Sequence, residues 1–114
     1  MAGTCLYVVR FWADPKQCGP LMDWLDRGHM ADVASQPGFL GVRRVRLEET
    51  AADGWQAYLM LYELESRAAL QAYFARADLQ AKFAEERRPF QDALRIERSW
   101  GEVEASVGSG PDRA

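Results

Sequence analysis

The sequence predicts an α+β fold with the element order β-α-β-β-α-β and a four-stranded antiparallel sheet. Two observations lead to this prediction: four extended segments alternate with two helical patterns, and the segments 6–12 and 55–64 are apolar on both faces. A strand in a small open sheet normally alternates apolar and polar residues, because water wets one side. We therefore expect one face to be covered by the helices of the chain and the other by a second copy of it.

The first half of the chain is predicted to form a strand, a helix and a hairpin. The strand spans about 4–12, and the helix spans about 20–35, beginning near a proline and ending before a Pro-Gly pair. A second strand covers 39–49. Asp53 and Gly54 then supply turn chemistry, so the chain should return as a third strand that pairs with the second.

The second half is predicted to form a helical region and a final strand. Ser66 is suited to cap the first helix, and apolar residues recur behind it at helical spacing. The pair Ala77 and Asp78 allows a break in this region, and Pro89 is expected to end it. The fourth strand should cover 93–100.

Length and composition indicate one domain over 4–104 and a flexible small-residue tail over 105–114. The chain has 114 residues, 48% of them hydrophobic, and a net charge of −3 with acids and bases mixed, which argues against nucleic acid as a partner. Its N-terminus lacks the pattern of a signal or membrane helix, so we expect a cytoplasmic location and no membrane partner. Cys5 and Cys18 are expected to be free thiols, and neither lies in a metal-binding pattern, so no metal site is predicted.

Segments of the chain over about residues 5–100 resemble the dimeric α/β-barrel superfamily: YVVRFWADP, WLDRGHMADVASQPGFLGVRRVR and YLMLYELESRAALQAYF. This superfamily includes antibiotic-biosynthesis monooxygenases, ethyl tert-butyl ether degradation proteins, muconolactone isomerases and polyketide cyclases, and the chain resembles an uncharacterised-domain family within it. The resemblance implies a ferredoxin-like fold, a homodimer, and a ligand cavity between helices and sheet. Since the superfamily combines isomerisation, oxygenation, cyclisation, haem chemistry and plain binding, the reaction must be inferred from the site.

His29 is the first candidate for a catalytic role, because it is the only histidine of the chain. It shares a helical stripe with Met22, Leu25 and Val33, so it should face the sheet. One reading is a core imidazole bonded to the backbone or to a tyrosine. The other is a proton carrier, since an imidazole with an ordinary pKa near ~6.5 suits proton transfer at physiological pH, and related families carry a buried histidine near this position.

Several other side chains are expected to converge on the same cavity. Arg10 interrupts an apolar strand face, so it should reach the rim, pair with a carboxylate such as Glu63 or Glu97, or hold an anionic ligand group. The predicted catalytic residues are His29, Tyr62 and Arg10, and the predicted substrate-binding residues are Val8, Trp24, Tyr58 and Tyr73.

Similarity to the cyclases limits what can be transferred from them. Tyr73 falls on the catalytic tyrosine of the cyclase helix, but Leu79 stands in place of the catalytic histidine, so the Tyr/His pair of that branch is missing. Haem chemistry would need His29 as the axial ligand, and a single histidine on a short helix is a weak haem signal. We therefore expect no cofactor.

Two classes of function stay open. The chain is either a cofactor-independent enzyme of isomerase, lyase, cyclase or monooxygenase type, with His29 as acid or base on a small apolar carbonyl or phenolic compound, or a non-catalytic dimeric protein that binds a small apolar or aromatic ligand. A perturbed His29 pKa beside a roomy apolar cavity would favour the enzyme. A filled core with His29 bonded to the backbone would favour the structural reading.

Overall fold

A computed structural model describes residues 4–108 and confirms the predicted α+β fold and its element order. All neighbouring strands are antiparallel, and the sheet has the order β2-β3-β1-β4. The strands are β1 (Cys5–Ala13), β2 (Phe39–Thr50), β3 (Gln56–Leu64) and β4 (Leu94–Glu102). Residues 103–108 have no regular secondary structure, and the remainder of the predicted tail, 109–114, lies outside the described residues.

The helix after β1 runs continuously over 19–34 and contains a π-helical turn. Its parts are α1 (Gly19–Trp24), the π turn (Leu25–His29) and α2 (Met30–Ala34). The inward residues Leu21, Leu25, His29 and Val33 are spaced by four, and in a regular α-helix each such step drifts by about 40°. The wider π turn offsets this drift. His29 is thereby held on the same side as Leu21, Leu25 and Val33, which are buried.

The second helical region has three parts: α3 (Arg67–Ala75), α4 (Ala77–Arg87) and a 3₁₀ helix (Arg88–Ala93). Ser66 caps α3, because its hydroxyl accepts a hydrogen bond of 3.0 Å from the backbone N–H of Ala69. The break falls at Arg76, whose ψ of 80° is not helical. The prediction that Pro89 ends the region is wrong: a proline fits the first turn of a helix, where its missing N–H is not needed, so helical winding continues to Ala93.

The pairing register divides the sheet into two faces, and β1 and β3 are apolar on both, as predicted. Tyr7 pairs with Tyr62 and Val9 pairs with Met60, and these side chains lie on the side of the helices. The alternate residues of the strands point the other way. We call this second surface the open face; it includes Leu6, Val8, Arg10, Trp12, Val45, Leu59 and Leu61.

The core lies between the helices and the sheet. Leu21, Leu64 and Leu70 are among its most completely buried side chains. Cys5 is buried, Cys18 is half-buried, and both are free thiols, in agreement with the sequence prediction. Within residues 4–108, no helix is long and apolar enough to cross a membrane.

Candidate functional site

A cavity of about 460 Å³ opens between the helices and the sheet. We call it the helix–sheet cavity; β1, β3, β4, the helix over 19–34, α3 and α4 contribute to its walls. Its size is that of a small-molecule site, for which about 300–1,000 Å³ is typical. The aromatic lining residues are Tyr7, Phe11, Trp24, Tyr62, Tyr73, Phe74, Phe83 and Trp100, and the other polar lining residues are His29, Gln80, Arg87 and Arg98.

His29 lines the helix–sheet cavity between two aromatic rings. Its imidazole stacks on Trp24 with a centroid distance of 4.1 Å and meets Phe83 edge-on at 4.7 Å. Its Nδ1 atom is buried and forms no hydrogen bond with any described residue. Burial, with a smaller contribution from the charge of Arg87, lowers the pKa of His29 from 6.5 to about 4. The imidazole is therefore neutral at physiological pH, and one ring nitrogen carries a lone pair that can accept a proton.

Three tyrosines form a cluster in the same cavity. The rings of Tyr7 and Tyr62 stack with a centroid distance of 5.5 Å, and the ring centroid of Tyr73 lies 6.4 Å from that of Tyr7. Burial raises the pKa of all three side chains, so they are neutral phenols at physiological pH. Neutral phenols donate hydrogen bonds, and they can therefore stabilise negative charge that develops on a ligand oxygen.

Two arginines complete the polar part of the lining. Arg87 comes from α4 and is half-buried, whereas Arg98 comes from β4 and is exposed. The charge of the Arg98 guanidinium opposes the rise in the pKa of Tyr7 that burial causes. Burial and the nearby charge of Arg98 lower the pKa of Arg87, which places the two guanidinium groups in one electrostatic environment. This end of the helix–sheet cavity is positively charged.

The structure brings four of the predicted site residues together: Trp24, His29, Tyr62 and Tyr73 all line the helix–sheet cavity. Tyr58 lies on the helix side of the sheet but stacks on Phe11 at 5.0 Å and does not reach the cavity. Its pairing partner Phe11 on β1 lines the cavity instead. The roles of these side chains stay predictions.

The placement of Val8 and Arg10 at the cavity was wrong. Val8 pairs with Leu61 and Arg10 pairs with Leu59, so both side chains point to the open face. Arg10 forms an ion pair with Glu49, rather than with the expected Glu63 or Glu97, because the long strand β2 carries Glu49 toward it. It also lies over the ring of Trp12 at 5.8 Å.

Arg87 and Arg98 are the charged residues of the cavity that the sequence did not predict, and Tyr7 and Gln80 were not predicted either. A signal for Arg98 was present, since Leu94, Ile96, Arg98 and Trp100 alternate along β4 and put one arginine on an otherwise apolar strand face. Arg87 gave no such signal, because it sits in a charged run at the end of a helix, which is typical of a solvated surface.

A ferredoxin-like sheet with a cavity beneath its helices defines the structural class of this protein. Residues 4–99 match the model of a family described as "Domain of unknown function (DUF4286)", and the chain belongs to this family. A comparison with curated protein sequences finds no significant match.

Solved structures with the same fold include three of particular interest. A dimeric ferredoxin-like protein from an uncultured marine organism has a TM-score of 0.68 at 15% identity, over 94% of this chain and 100% of that one. The monooxygenase ActVA-Orf6 of Streptomyces coelicolor, solved with nanaomycin D, has a TM-score of 0.68 at 18% identity, over 95% and 94%. The heme degrader MhuD of Mycobacterium tuberculosis, with two hemes in its active site, has a TM-score of 0.59 at 23% identity, over 90% of this chain and 99% of that one. These similarities establish the ferredoxin-like fold.

Proposed function

We propose that this protein is an enzyme that binds a small, largely apolar carbonyl or phenolic compound in the helix–sheet cavity and removes a proton from it. The observation that carries this proposal is the neutral imidazole of His29 in the wall of an aromatic cavity, with a buried Nδ1 that has no partner among residues 4–108. A strongly perturbed pKa in a cleft is typical of functional sites. A perturbed His29 pKa beside a roomy apolar cavity is also the condition under which the sequence analysis predicts an enzyme.

The proposed step is the heterolytic cleavage of a C–H or O–H bond. The proton moves to the lone pair of the imidazole, and the electron pair stays on the substrate as an enolate or phenolate. The buried phenols Tyr62 and Tyr73 are placed in the same cavity and stabilise the anionic oxygen by hydrogen bonds. The substrate then continues to its product from this anion, and the proton returns from the imidazolium to product or solvent.

Two solved proteins of the same fold support a small-molecule role for the cavity. ActVA-Orf6 is a monooxygenase solved with nanaomycin D, and MhuD is a heme degrader solved with heme in its active site. Both were solved with a bound small molecule, and the cavity in this chain offers many aromatic side chains to a ligand. A flat ligand fits such walls, because stacked and edge-to-face aromatic contacts stabilise it.

Proton exchange tests the proposal without knowledge of the natural substrate. The probe is 2-tetralone, an aromatic ketone with an acidic C–H beside its carbonyl, in deuterated buffer followed by proton NMR. We expect the wild-type protein to accelerate exchange, and we expect His29→Asn to reduce the acceleration ~10²- to 10⁴-fold, as is typical on loss of a general base. Ala84→Trp should block the cavity that Ala84 lines, whereas the control Ala72→Trp, on the exposed surface of α3, should exchange like wild type.

The outcomes separate catalysis from binding. Exchange at the buffer rate in a wild-type protein that binds 2-tetralone contradicts the catalytic step. Equal exchange by wild type and His29→Asn, with both proteins folded, contradicts the role of His29. Equal behaviour of Ala84→Trp and Ala72→Trp contradicts the assignment of the helix–sheet cavity as the site.

A second candidate function is ligand binding without turnover. One observation favours it: a pKa of about 4 makes His29 a weak base at neutral pH. On this reading the neutral imidazole serves as a hydrogen-bond acceptor for a ligand N–H or O–H. Binding of 2-tetralone without exchange is the result that selects this function.

We also propose that the protein is a homodimer in which the open faces of two copies pack together. The open face carries Leu59 and Leu61 beside Val8, and no helix of the described chain covers it. A specific interface should bury at least ~1,000 Å², and one solved protein of the same fold is described as dimeric.

Leu59→Asp should yield monomer or aggregate in light scattering, whereas Val107→Asp, at a side chain that is 94% exposed, should behave like wild type. A wild-type monomer at micromolar concentration contradicts the dimer.

A cytoplasmic location is the setting we propose for this activity. Cys5 and Cys18 are both free thiols, which suits a reducing compartment. Cell fractionation with an antibody to the native protein tests the location, and recovery in a membrane or secreted fraction contradicts it.

A further inference from the structure

We propose that the helix–sheet cavity selects aromatic anions, with a carboxylate, phenolate or enolate oxygen held between Arg87 and Arg98. This inference rests on the proposed function, since it requires that the cavity bind a small aromatic compound. It adds the chemical class of that compound and the two side chains that recognise it.

The first support is that neither arginine has a carboxylate partner in the part of the chain that the structure describes. Elsewhere, Arg95 pairs with Asp53 and Arg44 pairs with Asp26, each at 2.8 Å. Within residues 4–108, no carboxylate forms an ion pair with Arg87 or Arg98. Two like charges that face one cavity repel each other, so an anion between them would stabilise both.

The second support is the position of the two side chains on separate rigid elements. Arg87 projects from the last turn of α4, and Arg98 projects from β4 beside Ile96 and Trp100, which also line the cavity. Arg98 is exposed and Arg87 is half-buried, so an anionic group can reach them from solvent while the body of the ligand enters the cavity. Guanidinium groups bind carboxylate and phenolate oxygens through short charge-assisted hydrogen bonds.

The third support is the contrast with the rest of the cavity, which is mainly apolar and rich in aromatic side chains. Trp24, Phe83 and Phe74 offer ring faces and edges but no charge. A ligand that uses both parts of the site therefore has a flat apolar body and one anionic end. Tyr7 stands beside Arg98 and can donate a further hydrogen bond to that end.

Anion binding also affects His29 in this arrangement. The positive charge of Arg87 helps to lower the pKa of His29. An anion bound at Arg87 offsets that charge, so the imidazole should become a stronger base when the ligand is in place. Recognition of the anion and acceptance of the proton are thereby coupled in the same cavity.

The test compares two ligands of the same shape that differ in charge, 2-naphthoate and 2-naphthamide, by isothermal titration calorimetry at neutral pH and low salt. We expect wild type to bind naphthoate about ten- to a hundredfold more tightly than naphthamide, as charge-assisted hydrogen bonds predict. Arg87→Gln and Arg98→Gln should each lose most of this preference and keep the affinity for naphthamide. The control is Arg88→Gln, the next residue along, which pairs with Glu85 and does not line the cavity.

An NMR titration of the single histidine gives a second readout. The pKa of His29 should rise when naphthoate is bound and stay unchanged with naphthamide. Equal affinity of wild type for both ligands overturns the anion site and leaves the proposed function standing. Equal loss of preference in Arg88→Gln also overturns it. If wild type binds neither ligand, the proposed function itself is contradicted. If Arg87→Gln fails to fold, Arg98→Gln still provides the test, because Arg98 is exposed.

Discussion

Lowering the pH should protonate His29 in the unfolded chain well before it does so in the folded protein. The folded state holds the imidazole between Trp24 and Phe83, where burial lowers its pKa from 6.5 to about 4. Between these two values the unfolded chain binds more protons, so the free energy of unfolding must fall as the pH falls. Above about pH 6.5 the imidazole is neutral in both states, and its contribution is constant.

The size of this effect follows from the two pKa values. A tenfold difference in proton affinity corresponds to about 1.4 kcal/mol. The change from 6.5 to about 4 therefore corresponds to at most about 3 kcal/mol of stability, lost as the pH falls through that interval. Solvent screening of a partly exposed ring makes the measured loss smaller than this bound. Even a loss of about 1–2 kcal/mol would be a large fraction of the stability of a small domain.

Chemical denaturation across this pH range is the assay, with His29→Phe as the reference. Phenylalanine keeps an aromatic ring beside Trp24 and carries no titratable group, so the carboxylates of the chain contribute equally to both proteins. The stability difference between wild type and His29→Phe should be flat above about pH 6.5 and decline toward pH 4. Because the chain has one histidine, its imidazole resonances give the folded-state pKa directly. Parallel stability curves together with an NMR midpoint near 6.5 would refute the reasoning.

The remaining predictions concern the scaffold. Ser66→Ala should lower the free energy of unfolding by about 1 kcal/mol, measured by urea denaturation, because the cap on α3 is lost; an unchanged midpoint contradicts the cap. Leu70→Ala should lower it by about 2–5 kcal/mol, since this side chain is 0% exposed; a loss below that of Ser66→Ala would be inconsistent with its burial. Gly38→Ala should be destabilising, because Gly38 has φ +85° and an added Cβ would lie 2.4 Å from the Cβ of Ala69, whereas Gly28→Ala meets nothing within 4 Å and should be neutral or stabilising. Thermal melts of the two glycine variants check the contrast, and equal melting temperatures count against it.

The fold could be predicted from the sequence because its signals are local and repeated. Ser66 marks a helix start, Gly54 with φ +88° marks the hairpin turn, and the alternation in β4 marks a half-covered edge strand. Pro89 shows the limit of such signals. A proline restricts only its own φ and its own N–H, so it is equally compatible with the end of one helix and the first turn of the next.

The faces of β1 could not be assigned from that strand alone. Both of its faces are apolar, and a period of two separates the faces without saying which one meets the helices. Consistency between strands would have corrected the error: antiparallel pairing joins Val8 to Leu61 and Arg10 to Leu59, so these four residues belong to one surface. A cavity role for Arg10 is therefore incompatible with the place of Leu59 in the proposed dimer contact. The arginine end of the cavity depends on the approach of α4 to β4, which no local pattern encodes.

The π turn in the first helix lets that segment lose one residue without a change in the faces of its flanking turns. It contains one residue more than a regular α-helix would use to cover the same rise. Deletion of Gly28 would allow an uninterrupted α-helix in which eleven steps of about 100° lead from Leu21 to Val33, about 20° more than three full turns. Val33 would therefore stay on the core side with Leu21. Loss of a second residue from the same helix would turn the side chains after it by about 100° relative to those before it, and Val33 would then leave the core. The count of residues, more than the identity of any one of them, fixes where the imidazole points, so this helix should tolerate the loss of one residue in its π turn and not the loss of two.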